Sequence, residues 1–64
     1  MRIVKIRLDG SPGWLALKAD MKSVLDSEEL EIHLSDAEVG DALVFEIAEM
    51  PEEEFRNLPE FDGF

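Results

Sequence analysis

The sequence predicts a small α+β domain. It is a two-layer sandwich, with a three-stranded, mainly antiparallel sheet (β-α-β-β-α) and one helix packed on it. Three observations carry this. Apolar and polar residues alternate over Arg2–Leu8 and again over Glu29–Leu34. A third apolar run, Asp41–Met50, is rich in Val, Phe and Ile and is bracketed by Val39-Gly40-Asp41 and Pro51. Between the first two runs, Trp14, Leu17, Met21, Val24 and Leu25 recur at helical spacing.

In the first strand, Val4, Ile6 and Leu8 point to one face, while Lys5 and Arg7 stand on the other beside Ile3. Asp9–Gly13 is a turn. Trp14–Leu25 then reads as the main helix, with Ser11 as N-cap and Pro12 as its first residue. Leu15 falls off the apolar stripe of that helix. A rival reading makes Trp14–Ala19 a strand that returns along the first in an N-terminal hairpin, giving a four-stranded sheet. Leu15, Leu17 and Ala19 alternate as that reading requires. The stripe reaches Leu25, and Ala, Leu, Lys and Met are good helix formers, which favours the helix.

In the second strand, Glu29–Leu34, Leu30, Ile32 and Leu34 face inward, and Glu29, Glu31 and His33 face outward. Ser35–Asp41 connects it as a hairpin to the third strand, whose inner face is Leu43, Phe45 and Ile47. The expected strand order is 1-3-2. That order places residues 42–50 in the centre, with Glu46 beside Lys5 and Arg7. Pro51–Leu58 reads as a short helix with Pro at its first position and Glu52, Glu53 and Glu54 at its positive end. Pro59 ends it, and Glu60–Phe64 is a tail. Residues 1–64 form one domain, with 51–64 as short helix plus acidic aromatic tail.

A 64-residue chain without Cys has no disulfide to hold it and buries only about 60% of its unfolded surface. It lives on its own core or shares one with a partner. The formal net charge is −10. This excludes nucleic acid, which needs a basic footprint, and anionic membrane surfaces. The charge is uneven. Residues 1–22 carry five cations against two carboxylates, and residues 23–64 carry one against fourteen. Complementarity between strands accounts for such a division. The apolar N-terminus contains Arg2, Lys5 and Arg7 and lacks the plan of a signal peptide. The absence of Cys fits a reducing cytoplasm.

The sequence offers no constellation for catalysis. The sixteen carboxylates lie mostly outward or in loops, and acid–base work needs two in a pocket that shifts their pKa values. Ser11, Ser23, Ser27 and Ser35 have no base and orienting group in their sequence context. The lone His33 reads as a surface residue near Glu29 and Glu31, which favour its protonation. Asp36, Glu38 and Asp41 depart from the calcium-loop pattern. No cofactor or metal is implied. Asp26-Ser27 is similar to the attachment site of acyl carrier proteins. Those carriers are all-helical, whereas this chain opens with a strand. Asp62-Gly63-Phe64 lacks the terminal Gly-Gly of ubiquitin-like sulfur carriers.

One stretch has two readings. Phe55, Leu58, Phe61 and Phe64 stand among five acidic side chains, including Glu52, Glu53 and Glu54. Either Phe55 and Leu58 fold back to seal an edge or the open face of the sheet, or the tail forms an acidic–aromatic motif that docks in a partner's groove. The chain is thus expected to be a non-catalytic protein–protein interaction module or small accessory subunit, paired with a basic protein or with a second copy. The alternative is an acidic, antitoxin-like inhibitor that occupies a basic site on its target.

Overall fold

The computed structural model describes residues 1–64. The strands are β1 (Arg2–Leu8), β2 (Trp14–Lys18) and β3 (Leu43–Glu49). The helices are α1 (Met21–Leu25), α2 (Glu28–Asp36) and α3 (Glu52–Arg56). The sheet has three strands in the order β2-β1-β3, antiparallel throughout. The α+β class and the three-stranded antiparallel sheet stand as expected. The β-α-β-β-α element order does not, because two segments exchange roles.

The first exchange is at residues 14–25. The N-terminal hairpin forms, with Arg7 opposite Trp14 and Ile3 opposite Lys18. Gly10 sits at φ +87, a region open to Gly, and lets the chain reverse. Leu15, which the helical stripe left outside, is buried in the core. The alternation of Leu15 and Leu17 prevails because β1 supplies a partner immediately upstream. Helix begins only at Met21, where the Asp20 carboxylate accepts from the Ser23 amide at 2.8 Å.

The second exchange is at residues 28–36, which form α2 and not a strand. Ser27 is its N-cap, its hydroxyl oxygen accepting from the Leu30 amide at 3.3 Å. Glu28, Glu29 and Glu31 occupy the positive first turn and His33 the last. Glu is a good helix former and is depleted in strands. With this segment helical, neither the four-stranded sheet nor the 1-3-2 order can form. β1 takes the central place that was expected for residues 42–50.

Residues opposite one another in the ladder share a face. One face shows the rows Leu17–Val4–Ile47 and Leu15–Ile6–Phe45, with Leu8 beside Leu43. Val4, Ile6 and Leu15 meet Leu30 of α2 to form the core, and Leu17, Val24, Leu43, Phe61 and Phe64 pack against it. The cover lies over β2 and β1. Phe45 and Ile47 remain exposed, as do Met21, Leu25, Ile32 and Leu34, all of which were expected inside. Trp14 is 38% exposed. On the opposite face Ile3 is fully buried, although alternation had grouped it with the outward Lys5 and Arg7. Lys5 lies opposite Glu46 as expected. Its ammonium sits 4.4 Å from the centre of the Trp14 ring, and no ion pair links it to Glu46. Six of 64 residues are buried, so the chain has little core to lose.

Candidate interaction surface

The tail comes first, because the sequence placed the candidate residues there. α3 presents Glu52, Glu53 and Glu54 to solvent in its first turn. Beyond it the chain runs beside β2. A Cβ at Gly13 would strike the carbonyl oxygen of Gly63, so the tail backbone lies directly on the hairpin turn. Gly63 itself is at φ +117, where side chains are strained. The Phe61 and Phe64 rings meet edge to face at 5.0 Å, and Phe64 meets His33 at 4.8 Å. These two rings pack against the core, whereas the fold-back reading of the tail had named Phe55 and Leu58. His33 is half-buried under Phe64, and its Nε2 has no hydrogen-bond partner.

Phe55 and Leu58 do not join that cluster. They line a cleft of about 440 Å³ with Trp14, Leu15, Ala16 and Leu17. Glu29, Glu60 and Asp62 also line it, and no Lys or Arg does. The cleft lies along β2, so the outer edge of that strand is partly occupied by the chain's own tail.

The other edge of the sheet is different: the sequence reading allowed for an exposed edge but placed this strand in the centre. β3 pairs with β1 over seven consecutive positions without a bulge. Its other side has no partner strand. Phe45 is 50% exposed and Ile47 65% exposed. The edge carries no Pro and no Lys, the residues that usually blunt such a strand. Two signals pointed to it: the high β-propensity of L-V-F-E-I, and the mixed character of the second face of this strand. Both were absorbed by giving the strand a central place.

The carboxylates do not converge. No group of three or more His, Asp or Glu residues could hold a metal ion. The Asp41 carboxylate accepts from the Glu38 amide at 3.0 Å and closes its own loop. Asp20 caps a helix. The Ser23 amide first, then the Ser23 hydroxyl, hold its carboxyl below the ordinary value of 3.8, with help from Lys18 and Lys22. That is a helix cap. Ser27 is likewise a buried cap, its oxygen occupied by the Leu30 amide, so the carrier-like dipeptide has a structural role. No helix is long and apolar enough to cross a membrane. Comparison with family models, with curated proteins and with solved structures finds no match.

Proposed function

We propose that this chain is a non-catalytic protein–protein interaction module of the cytoplasm, and that β3 is its docking edge. The observation that carries the reading is the unpaired β3 edge with Phe45 and Ile47 exposed along it. An open edge offers a row of main-chain donors and acceptors, and alternate side chains give selectivity; strand addition uses both. Area supports the same reading. The folded chain exposes 4897 Å². A monomer of 7.3 kDa is expected to expose about 4,200 Å². The excess of roughly 700 Å² is close to what one partner contributes to a standard interface.

The test is paired affinity capture with the wild-type chain and a Phe45→Lys variant as baits. A charge at this inward-facing edge position blocks strand addition. Species captured by the wild type should be lost with the variant. Identical capture by both baits would remove β3 from the function.

The cleft favours a second reading, the acidic inhibitor. Trp14, Phe55 and Phe61 give it aromatic walls and Glu29, Glu60 and Asp62 give it carboxylates, which suits a Lys or Arg side chain of a basic target. Such a complex weakens steeply with added salt. Capture that survives high salt but is lost with Phe45→Lys belongs to the edge, not to the cleft.

A further inference from the structure

The geometry points to one occupant of the cleft along β2: the guanidinium of an arginine carried on an extended segment of a basic protein. This rests on the reading of the cleft as the site for a basic target, and it adds which cation is held and by what groups.

The cleft carries charge without a counter-charge. Glu29, Glu60 and Asp62 line it, and no Lys or Arg does. The chain makes one ion pair, Lys22 with Asp26, so none of the three carboxylates is neutralised from within. The Ser27 hydroxyl donates to Glu29 at 3.3 Å, a neutral contact that leaves its charge in place.

The walls suit a cation as well. Trp14, Phe55 and Phe61 line the cleft. A cation over an aromatic face is attracted to its π-system, more often a guanidinium than an ammonium. The Trp14 ring makes this contact within the chain already, with the Lys5 ammonium 4.4 Å from its centre.

The main chain of β2 supplies the third element. The Ala19 amide donates to the Arg2 carbonyl at 3.4 Å, and bonded and non-bonded pairs alternate along an antiparallel ladder. Leu15 and Leu17 therefore direct their main-chain groups to β1, while Trp14 and Ala16 direct theirs to the outer side of β2, along which the cleft lies. The tail runs beside them without joining the ladder, since no main-chain hydrogen bond involves residues 59–64.

Arginine fits this set better than lysine. Its planar fork offers five N–H donors and no acceptor, stacks on rings and is more weakly hydrated than an ammonium. The cleft supplies three carboxylates and the carbonyls of Trp14 and Ala16 as acceptors. The N–H groups of the same two residues are left for a carbonyl of the segment that bears the arginine, so the occupant is a polypeptide and not a small organic cation. The volume of about 440 Å³ lies within the range of ligand sites, about 300–1,000 Å³.

Trp14 is the one tryptophan of the chain, so its fluorescence reports occupancy of the cleft. The full chain is titrated, at matched ionic strength, with acetyl-Gly-Arg-Gly-amide, with its Lys and citrulline counterparts and with tetramethylammonium chloride. The Arg peptide should give a saturable change at millimolar concentration, weakened by added salt. Half-saturation by the Lys peptide should lie about threefold higher or more, and the uncharged citrulline peptide should give no saturable change over the same range. Glu60→Gln and Asp62→Asn lie on exposed tail positions and should each weaken the Arg peptide by about twofold to fivefold. Glu38→Gln removes the same charge from an exposed loop outside the cleft and should bind as the wild type does. Equal or tighter binding of the Lys peptide overturns the guanidinium assignment without touching the reading of the cleft as a cation site. Tighter binding of tetramethylammonium overturns the polypeptide occupant. A Glu38→Gln chain that loses as much as Glu60→Gln overturns the site, because net charge alone would then explain the binding. Trp14 emission that shifts with protein concentration alone assigns the cleft to a second copy and overturns the proposal. No saturable response to either cationic peptide overturns the underlying reading of the cleft as well.

Discussion

Leu30, Ile32 and Leu34 offer the sharpest test of the fold. On a strand they would share one buried face and be equally costly to truncate. On α2 they differ. Leu30 is 6% exposed and meets Val4, Ile6 and Leu15, whereas Ile32 is 55% exposed and Leu34 70% exposed. Leu30→Ala removes a buried side chain and leaves a cavity between helix and sheet, a loss of about 2–5 kcal/mol. A chain of this length has a total stability of about 3–10 kcal/mol, so the variant lies near the edge of folding. For Ile32 and Leu34 less than half of the side chain is withdrawn from water. Full burial of either contributes about 1.5–3 kcal/mol, so truncation removes about 1 kcal/mol. The better helix propensity of Ala returns a few tenths of that. Urea unfolding followed by circular dichroism measures all three. The expected midpoints fall steeply for Leu30→Ala and little for Ile32→Ala and Leu34→Ala. In thermal unfolding each kcal/mol is worth roughly 4–8 °C at this size, so the contrast is large. Equal losses at the three positions would falsify the helical assignment, and a neutral Leu30→Ala would mean that α2 is not docked through this residue.

Three further outcomes follow from the same geometry. Phe64→Ala removes the edge-to-face contacts with His33 and Phe61 and should cost about 2 kcal/mol, below the full price of a buried ring. Gly13→Ala should displace the tail, because its Cβ meets the Gly63 carbonyl; the His33 ring resonances should then move to the positions seen in Phe64→Ala, and the two changes together should cost less than their sum. The Asp20 carboxyl titrates below 3.8 in the folded chain, so its stabilisation is present above the unfolded pKa and is lost as pH falls through the folded one. Asp20→Ala should therefore be less stable than wild type at neutral pH, and the difference should close in strong acid; a difference that persists at the lowest pH would remove the charge from the cap.

Much of the fold is legible in the sequence, and the places where it is not have a common cause. The two long strands, the helix after Pro51 and the pairing of Lys5 with Glu46 follow from alternation, turn residues and opposite charge, all of which are local or act between neighbouring strands. The caps are local too, since Asp20 and Ser27 stand three residues before the amides they bind, yet the sequence reading placed its N-cap at Ser11, where no helix starts. Residues 14–18 were decided by pairing with β1, and residues 28–36 by a local cap that competes with their alternation. Trp14–Lys18 satisfies both a helical and an alternating pattern, and the adjacency of β1 selects the strand. Leu30, Ile32 and Leu34 satisfy an alternating pattern, and the Ser27 cap with its three glutamates selects the helix. The candidate surface divides in the same way. The sequence marked the tail aromatics, and tertiary structure packed Phe64 against the core, Phe61 against both core and cleft, and Phe55 and Leu58 in the cleft.

What the residues alone determined is therefore the α+β class, the acidic and non-basic character of the chain, and two of the three strands, Arg2–Leu8 and Leu43–Glu49. What only the tertiary structure decided is which strand stands in the centre. Strand order is set by long-range pairing, which no local pattern encodes. Residues 14–18 pair with β1 and give it a neighbour on each side, and α2 takes residues 28–36 out of the sheet and leaves β3 with one. Those two changes turn Phe45 and Ile47 from core residues into an open edge.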